Sequence, residues 1–113
     1  NIPVHINDNS LRILRLPPQV EISLFRIIQE ALNNISKYAH AKQVEIKLID
    51  VDDHVLMTIA DDGVGFDTNV IFTEQSSYWG LAIMRERARA LDASFDIVSA
   101  PGKGTKIHLR IAR

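Results

Sequence analysis

Three polar residues follow one line on the longest helical pattern of the chain. Glu30, Asn34 and Lys37 are spaced by four and three residues, so an α-helix places them as surface neighbours. The line lies at the margin of an apolar stripe, where a carboxylate and a carboxamide can face a partly desolvated cleft. The neutral oxygen of Asn34 is a ligand type that Mg²⁺ accepts together with water and phosphate oxygens. The same spacing is also compatible with an ordinary solvent-facing helix surface.

A carboxylate at the end of a strand is the second candidate group. Alternation with a period of two places Asp61 on the same strand face as Met57 and Ile59. If that face is the core face, Asp61 points toward the helices. An inward carboxylate suits a ligand with an amine donor, such as the exocyclic amine of adenine, because an unpaired buried acid costs free energy. A second acid and a glycine follow, which is also compatible with a simple turn.

Glycines are predicted in turns around the same cleft. They are Gly63, Gly65, Gly80, Gly102 and Gly104. Without a side chain, glycine lets the backbone approach a flat base or a phosphate group closely. A helix that opens at Gly80 can hold phosphate with its free amides, and Thr105 points inward from the last strand. The run from Gly102 to Thr105 is also compatible with an ordinary hairpin loop.

Hydrophobic periodicity predicts the elements that position these residues. A long helix starts at Pro17-Pro18, because proline already has the φ of the first helical turn and needs no donor there, and it runs to about Ala39. A second helix opens at Gly80. Strands are predicted at residues 4–6, 11–16, 43–51, 55–60, 94–99 and 105–111. The segment 67–79 has no clean period and is predicted to be a mobile loop.

The strand pattern predicts the fold class. The last strand alternates apolar and charged residues, so one face of the sheet is apolar and the other is charged. This favours a mixed, mostly antiparallel sheet with helices on one face, which is a two-layer α/β sandwich. We predict that residues 1–113 form a single domain. Because the chain lacks an initiator methionine, we expect it to be a fragment of a longer protein.

Composition excludes several function classes. Lys and Arg total 13 and Asp and Glu total 14, so no charge excess favours nucleic acid or an anionic membrane. The absence of cysteine excludes disulfides and thiolate metal sites. No apolar run approaches the roughly 18 residues that a membrane span needs. The chain has no P-loop motif and no zinc-ligand cluster.

The order and spacing of the motifs resemble a known family. The segments EALNN, SKYA, ADDGVGF, WGLAIMRERA and PGKGT resemble the ATP-binding catalytic domain of sensor histidine kinases. This is the GHKL or Bergerat fold, which type II topoisomerases, mismatch-repair ATPases and some chaperones share. The combination is especially similar to kinases that partner response regulators with helix-turn-helix output domains. The resemblance covers nearly the whole chain.

The resemblance implies a metal and phosphate side of the site. Asn34 would coordinate Mg²⁺, and Glu30 would act as a base or polar organiser, so these two would be the catalytic residues. Lys37 would lie near the phosphates of ATP, and Gly80 and Leu81 would close the lid over them.

The resemblance also implies an adenine side. Asp61 would bind the adenine amine, and Gly63 and Gly65 would shape the base pocket. Gly104 and Thr105 would complete it, with Thr105 acting through water. Asp62 is a weaker candidate than its neighbour.

By the same resemblance, the reaction transfers the γ-phosphoryl group of ATP to a histidine on a separate helical dimerisation domain. The four histidines of this chain lack the following acid of the family's phosphoacceptor, so the acceptor is expected elsewhere. A response regulator would act downstream, without direct contact to nucleic acid or membrane. The domain would be cytoplasmic, in a parent protein that can be membrane-anchored.

Two departures from the family leave an alternative open. Members usually have glycine two residues before the Gly-Leu pair, where this chain has Tyr78, and histidine is common where it has Tyr38. The alternative is a non-transferring nucleotide-binding regulatory module of the same fold, similar to an anti-sigma factor or a degenerate kinase domain.

Overall fold

The computed structural model describes residues 4–8, 17–51, 53–68 and 79–112. In chain order the elements are β1 (Val4–Asp8), α1 (Pro18–Asn34), a π-helical turn (Ile35–Ala39), β2 (Val44–Val51), β3 (His54–Asp61), α2 (Trp79–Ala90), β4 (Ser94–Ser99) and β5 (Thr105–Ala112). The predicted strand at 11–16 and most of the predicted loop at 67–79 lie outside the described residues. The other predicted elements are present, and only the C-terminal end of the long helix differs from its prediction.

One mixed sheet contains the five strands in the spatial order β1-β2-β3-β5-β4. β1 pairs in parallel with β2, and every other neighbouring pair is antiparallel. In the register between β3 and β5, Asp61 lies opposite Thr105. The two polar residues that the sequence predicts at strand ends are therefore direct neighbours.

The helices pack on one face of this sheet. Along β3 and β5, buried residues alternate with more exposed ones, as a half-covered sheet requires. The core also contains the apolar stripes of both helices, which are Leu24, Ile27, Ala31, Leu81, Met84 and Ala88. The predicted two-layer α/β sandwich is confirmed. Within the described ranges, none of the helices combines the length and the apolar character that a membrane crossing requires.

Both helices start close to their predicted positions. Pro18 occupies the first turn of α1, and the carbonyl oxygen of Pro17 accepts a hydrogen bond from the amide of Glu21 at 3.0 Å. The carboxylate of Glu21 lies in that first turn, where the helix dipole favours negative charge. α2 begins at Trp79, one residue before the predicted Gly80.

The end of the long helix differs from the prediction. After Asn34 the helix widens into the π-helical turn, which ends at His40 with φ 52° in the left-handed region. A π-helical turn bonds residue i to i+5 instead of i+4. The straight polar line predicted for Glu30, Asn34 and Lys37 therefore does not continue beyond Asn34. Lys37 is exposed on this wider turn.

Candidate functional site

A cavity lies between the C-terminal half of α1 and the adjoining ends of β3 and β5. Its lining residues are Ala31, Asn34, Ile35, Ala39, Asp61, Val64, Gly65, Phe66, Leu81, Thr105 and Ile107. It encloses about 430 Å³ of atom-free space when its solvent-open mouth is counted, and its narrow interior holds about 40 Å³. That interior has room for only a few water molecules.

The structure brings together half of the ten predicted site residues in the lining of this cavity. Asn34, Asp61, Gly65, Leu81 and Thr105 all line the cavity. The carboxamide of α1 and the carboxylate of β3 therefore face one shared space, although 27 positions separate them along the chain. Gly63, Gly80, Gly104 and Glu30 adjoin lining residues without lining the cavity themselves. Lys37 does not line it either and is exposed on the π-helical turn.

Asp61 is the half-buried acid of the site. Its Oδ1 accepts a hydrogen bond from the amide of Gly63 at 2.8 Å. Burial raises the pKa of Asp61 above its ordinary value; the Gly63 and Thr105 amides oppose this shift, and the charge of Asp62 adds to it. The carboxylate is thus partly desolvated, and a further donor from a ligand would stabilise it.

We expect the raised pKa of Asp61 to make stability depend on pH. As pH rises, the unfolded chain loses this proton first, so the free energy of unfolding falls until pH exceeds the folded-state pKa. Asp61→Asn has no such proton to lose. Urea unfolding at several pH values measures the free energy of unfolding of both proteins. The value for the variant minus that for wild type should increase as pH rises from the unfolded-state pKa of Asp61 to its folded-state pKa. A constant or decreasing difference would contradict this assignment.

Asp62 has a different role from Asp61. It is exposed, and its Oδ1 accepts hydrogen bonds from the amides of Lys42 and Gln43 at 2.7 and 3.0 Å. These two amides hold the pKa of Asp62 below its ordinary value. The carboxylate ties the loop after β3 to the segment that leads into β2. Asp62 is therefore a structural residue of the loop that carries Asp61.

The loop after β3 lies directly against the turn between β4 and β5. Gly65 and Gly104 have φ of 65° and 72°, where other residues are strained. A Cβ on Gly104 would overlap the carbonyl oxygen of Asp61, and one on Gly65 would overlap that of Ala100. The amide of Gly102 also bonds the carbonyl oxygen of Val64 at 2.6 Å. These contacts leave no room for side chains between the two segments.

We expect Gly104→Ala to lower the free energy of unfolding by about 1–3 kcal/mol, the usual cost of a strained backbone, before any cost of the collision is added. The added methyl group also collides with Asp61. Gly102→Ala is the matched control, because Gly102 has a similar φ of 79° but open space around its Cβ position. Urea unfolding should show a larger loss of stability for Gly104→Ala. Equal losses would mean that the collision has no effect.

Ser99 is the residue that sequence reasoning missed. Its hydroxyl oxygen lies 2.9 Å from the amide of Phe66, 3.0 Å from the carbonyl oxygen of Gly104 and 2.8 Å from Oγ1 of Thr105. It links β4, β5 and the loop after β3. A signal exists in the sequence, since the period of two places Ser99 on the inward face with Ile97.

The start of α2 adjoins the two polar side chains of α1. A Cβ added to Gly80 would lie 3.5 Å from Oδ1 of Asn34 and 3.8 Å from Cδ of Glu30. Leu81 follows as a buried residue, 1% exposed, and packs this helix end into the core. Amides in the first helical turn have no partner within the helix. An anion bound here would accept hydrogen bonds from those amides. The oxygens of Asn34 and Glu30 would face it only through a cation between them.

The described residues contain no group of three or more histidine, cysteine, aspartate or glutamate side chains that could hold a metal ion. A divalent cation would therefore need ligands from a bound substrate and water beside the oxygen of Asn34. Such a set of hard oxygen ligands suits Mg²⁺.

The fold and the site form a cleft between a helical layer and a sheet, a place where proteins commonly bind small ligands. The sequence model described as "Histidine kinase-, DNA gyrase B-, and HSP90-like ATPase" matches residues 19–113. The chain belongs to this family of ATPase domains. The predicted family is confirmed, and membership implies ATP as the ligand.

Curated relatives are sensor proteins. The chain is 39% identical over 102 residues to the sensor protein VraS of Staphylococcus aureus and 38% identical to VraS of Staphylococcus epidermidis. Each match covers 90% of this chain and 28% of the relative. The chain therefore spans about a quarter of the length of these relatives.

Solved structures confirm the fold. The histidine kinase domain of the Erythrobacter litoralis blue-light activated kinase superposes with a TM-score of 0.79 at 19% identity, covering 98% of this chain and 51% of that one. Acinetobacter baumannii histidine kinase AdeS gives 0.76 at 17% identity, covering 98% and 54%.

Proposed function

We propose that this domain binds Mg-ATP in the described cavity and supplies the γ-phosphoryl group for phosphorylation of a histidine on a separate helical domain. The observation that carries the proposal is the shared cavity of Asp61 and Asn34 in a chain of the ATPase family. The similarity to sensor proteins supports the histidine as acceptor. The proposal places the chain in two-component signal transduction.

The adenine end of the ligand would lie against the ends of β3 and β5. Asp61 would accept a hydrogen bond from the adenine amine, which compensates the burial of its carboxylate. Gly63 would hold that carboxylate through its amide, and Gly65 and Gly104 would let the loop and turn approach the base. Thr105 would complete this end.

The phosphate end would lie where α1 meets α2. Asn34 would give Mg²⁺ its protein ligand, and the metal would neutralise phosphate charge during transfer. Glu30, close to the first turn of α2, would act as a base or orient polar groups. Gly80 would let α2 approach the phosphates, Leu81 would hold the helix in place, and Lys37 would attract the phosphate charge.

Transfer would depend on positioning, because phosphoryl transfer requires little covalent chemistry from the protein. Two of the histidines already have partners away from the cavity. Nδ1 of His54 lies 2.6 Å from a carboxylate oxygen of Asp53, and Nδ1 of His108 lies 3.3 Å from Oγ1 of Thr58. We propose that the acceptor histidine belongs to a dimerisation domain of the parent kinase. A response regulator would act downstream, in the cytoplasm.

The test mixes this domain with a supplied phosphoacceptor domain and ATP labelled at the γ position. Acid-labile label on the acceptor histidine would support the proposal. ATP binding without labelling, in an acceptor that another kinase domain does label, would favour a non-transferring regulatory module. Failure to bind ATP at all would reject both functions.

A further inference from the structure

Ser99 joins three segments around the cavity without lining it. Phe66 comes from the loop after β3, Gly104 from the turn before β5, and Thr105 from β5 itself. All three contacts are within 3.0 Å. One hydroxyl group has one hydrogen and two lone pairs. Three such contacts therefore use its whole capacity.

The identity of the partners fixes the direction of each hydrogen bond. The Phe66 amide can only donate, so it occupies one lone pair of Ser99. The Gly104 carbonyl oxygen can only accept, so it takes the hydroxyl hydrogen. The remaining contact is then a hydrogen bond that Thr105 donates to the second lone pair of Ser99.

Thr105 therefore presents only lone pairs to the cavity. Its hydroxyl hydrogen is directed at Ser99. The Gly63 amide donates to Asp61. At this corner the side chains of Asp61 and Thr105 therefore offer a ligand only hydrogen-bond acceptors. An amino group that points into this corner can donate to these acceptors, whereas a carbonyl oxygen in the same place faces their lone pairs.

We propose that Ser99 is a positioning residue that makes this cavity select purines with a 6-amino group over purines with a 6-oxo group. Ser99 acts through Thr105, whose hydroxyl it keeps in the accepting orientation. The inference rests on the proposed binding of ATP in this cavity. Without Ser99, the Thr105 hydroxyl can rotate and donate to a carbonyl oxygen.

The test compares the affinities of the domain for ATP and inosine triphosphate, which has a carbonyl oxygen in place of the amino group and carries a hydrogen on N1. Titration calorimetry with Mg²⁺ present gives both dissociation constants. For Ser99→Ala we expect the preference for ATP to fall about 10-fold, the value of one hydrogen bond. Ser94→Ala is the matched control, because Ser94 is exposed at the other end of the same strand.

A second variant keeps the test valid if Ser99→Ala does not fold. Thr105→Val leaves the Ser99 bonds to Phe66 and Gly104 in place. It should weaken ATP binding more than inosine triphosphate binding, because it removes an acceptor. Where both variants fold, adding Ser99→Ala to Thr105→Val should not change the preference further.

An unchanged preference in Thr105→Val would overturn the inference. So would an unchanged preference in a folded Ser99→Ala variant. An additive loss in the double variant would also overturn it, because Ser99 would then act independently of Thr105. Wild-type protein that binds neither nucleotide would instead reject the proposed function, so the two failures are distinguishable.

Discussion

In Asp61→Asn we expect the affinity for ATP to fall about 10- to 100-fold, the value of a hydrogen bond to a charged group, while the fold is retained. The asparagine oxygen can still accept the Gly63 amide. Its NH₂ group is a donor, and it takes the place of the carboxylate oxygen that would accept a hydrogen bond from the adenine amine. Because burial disfavours the charged form of Asp61, the variant should be no less stable than wild type.

Titration calorimetry together with urea unfolding separates these two effects. Asp96→Asn is the matched control, because Asp96 is an exposed carboxylate on the outer face of the sheet. Its ATP affinity should equal that of wild type. Normal ATP binding by a folded Asp61→Asn protein would reject Asp61 as the adenine ligand.

For Asn34→Ala the expected result is loss of the Mg²⁺-dependent part of ATP binding. Phosphotransfer to the acceptor domain should fall about 100-fold or more, the usual effect of removing a group that stabilises transition-state charge. Binding measured in the presence of a chelator should change little, because the adenine end of the site is intact. Parallel titrations with Mg²⁺ and with chelator measure the difference.

Asn33→Ala provides the control for this substitution. Asn33 precedes Asn34 directly but is exposed and does not line the cavity. It should retain full Mg²⁺ dependence. If Asn34→Ala retains it as well, the metal ligand must be a different residue.

Periodicity predicted the parts of the site that regular elements position. Alternation along β3 and β5 placed Asp61 and Thr105 on the inward face, and helical spacing placed Asn34 beside the apolar stripe. These are local patterns, so the sequence contains them directly. Their meeting in one cavity depends on strand order and register, which periodicity does not determine.

The missed features depend on contacts between distant segments. Nothing in the sequence around Ser99 indicates three hydrogen-bond partners, because Phe66 is 33 positions away. The tie between Asp62 and the amides of Lys42 and Gln43 is equally non-local. The residue types in the π-helical turn are compatible with an α-helix, so periodicity predicts no change of helix type there.

The π-helical turn has a consequence for insertions and deletions. Its last residue, Ala39, accepts a hydrogen bond from the Val64 amide at 2.7 Å, next to the loop that carries Asp61. Removing one residue between 35 and 39 would convert the turn to ordinary α geometry. The Ala39 carbonyl oxygen would then shift back along the helix by one residue, away from the Val64 amide. Homologues should therefore preserve the number of residues in this segment more strictly than their identity.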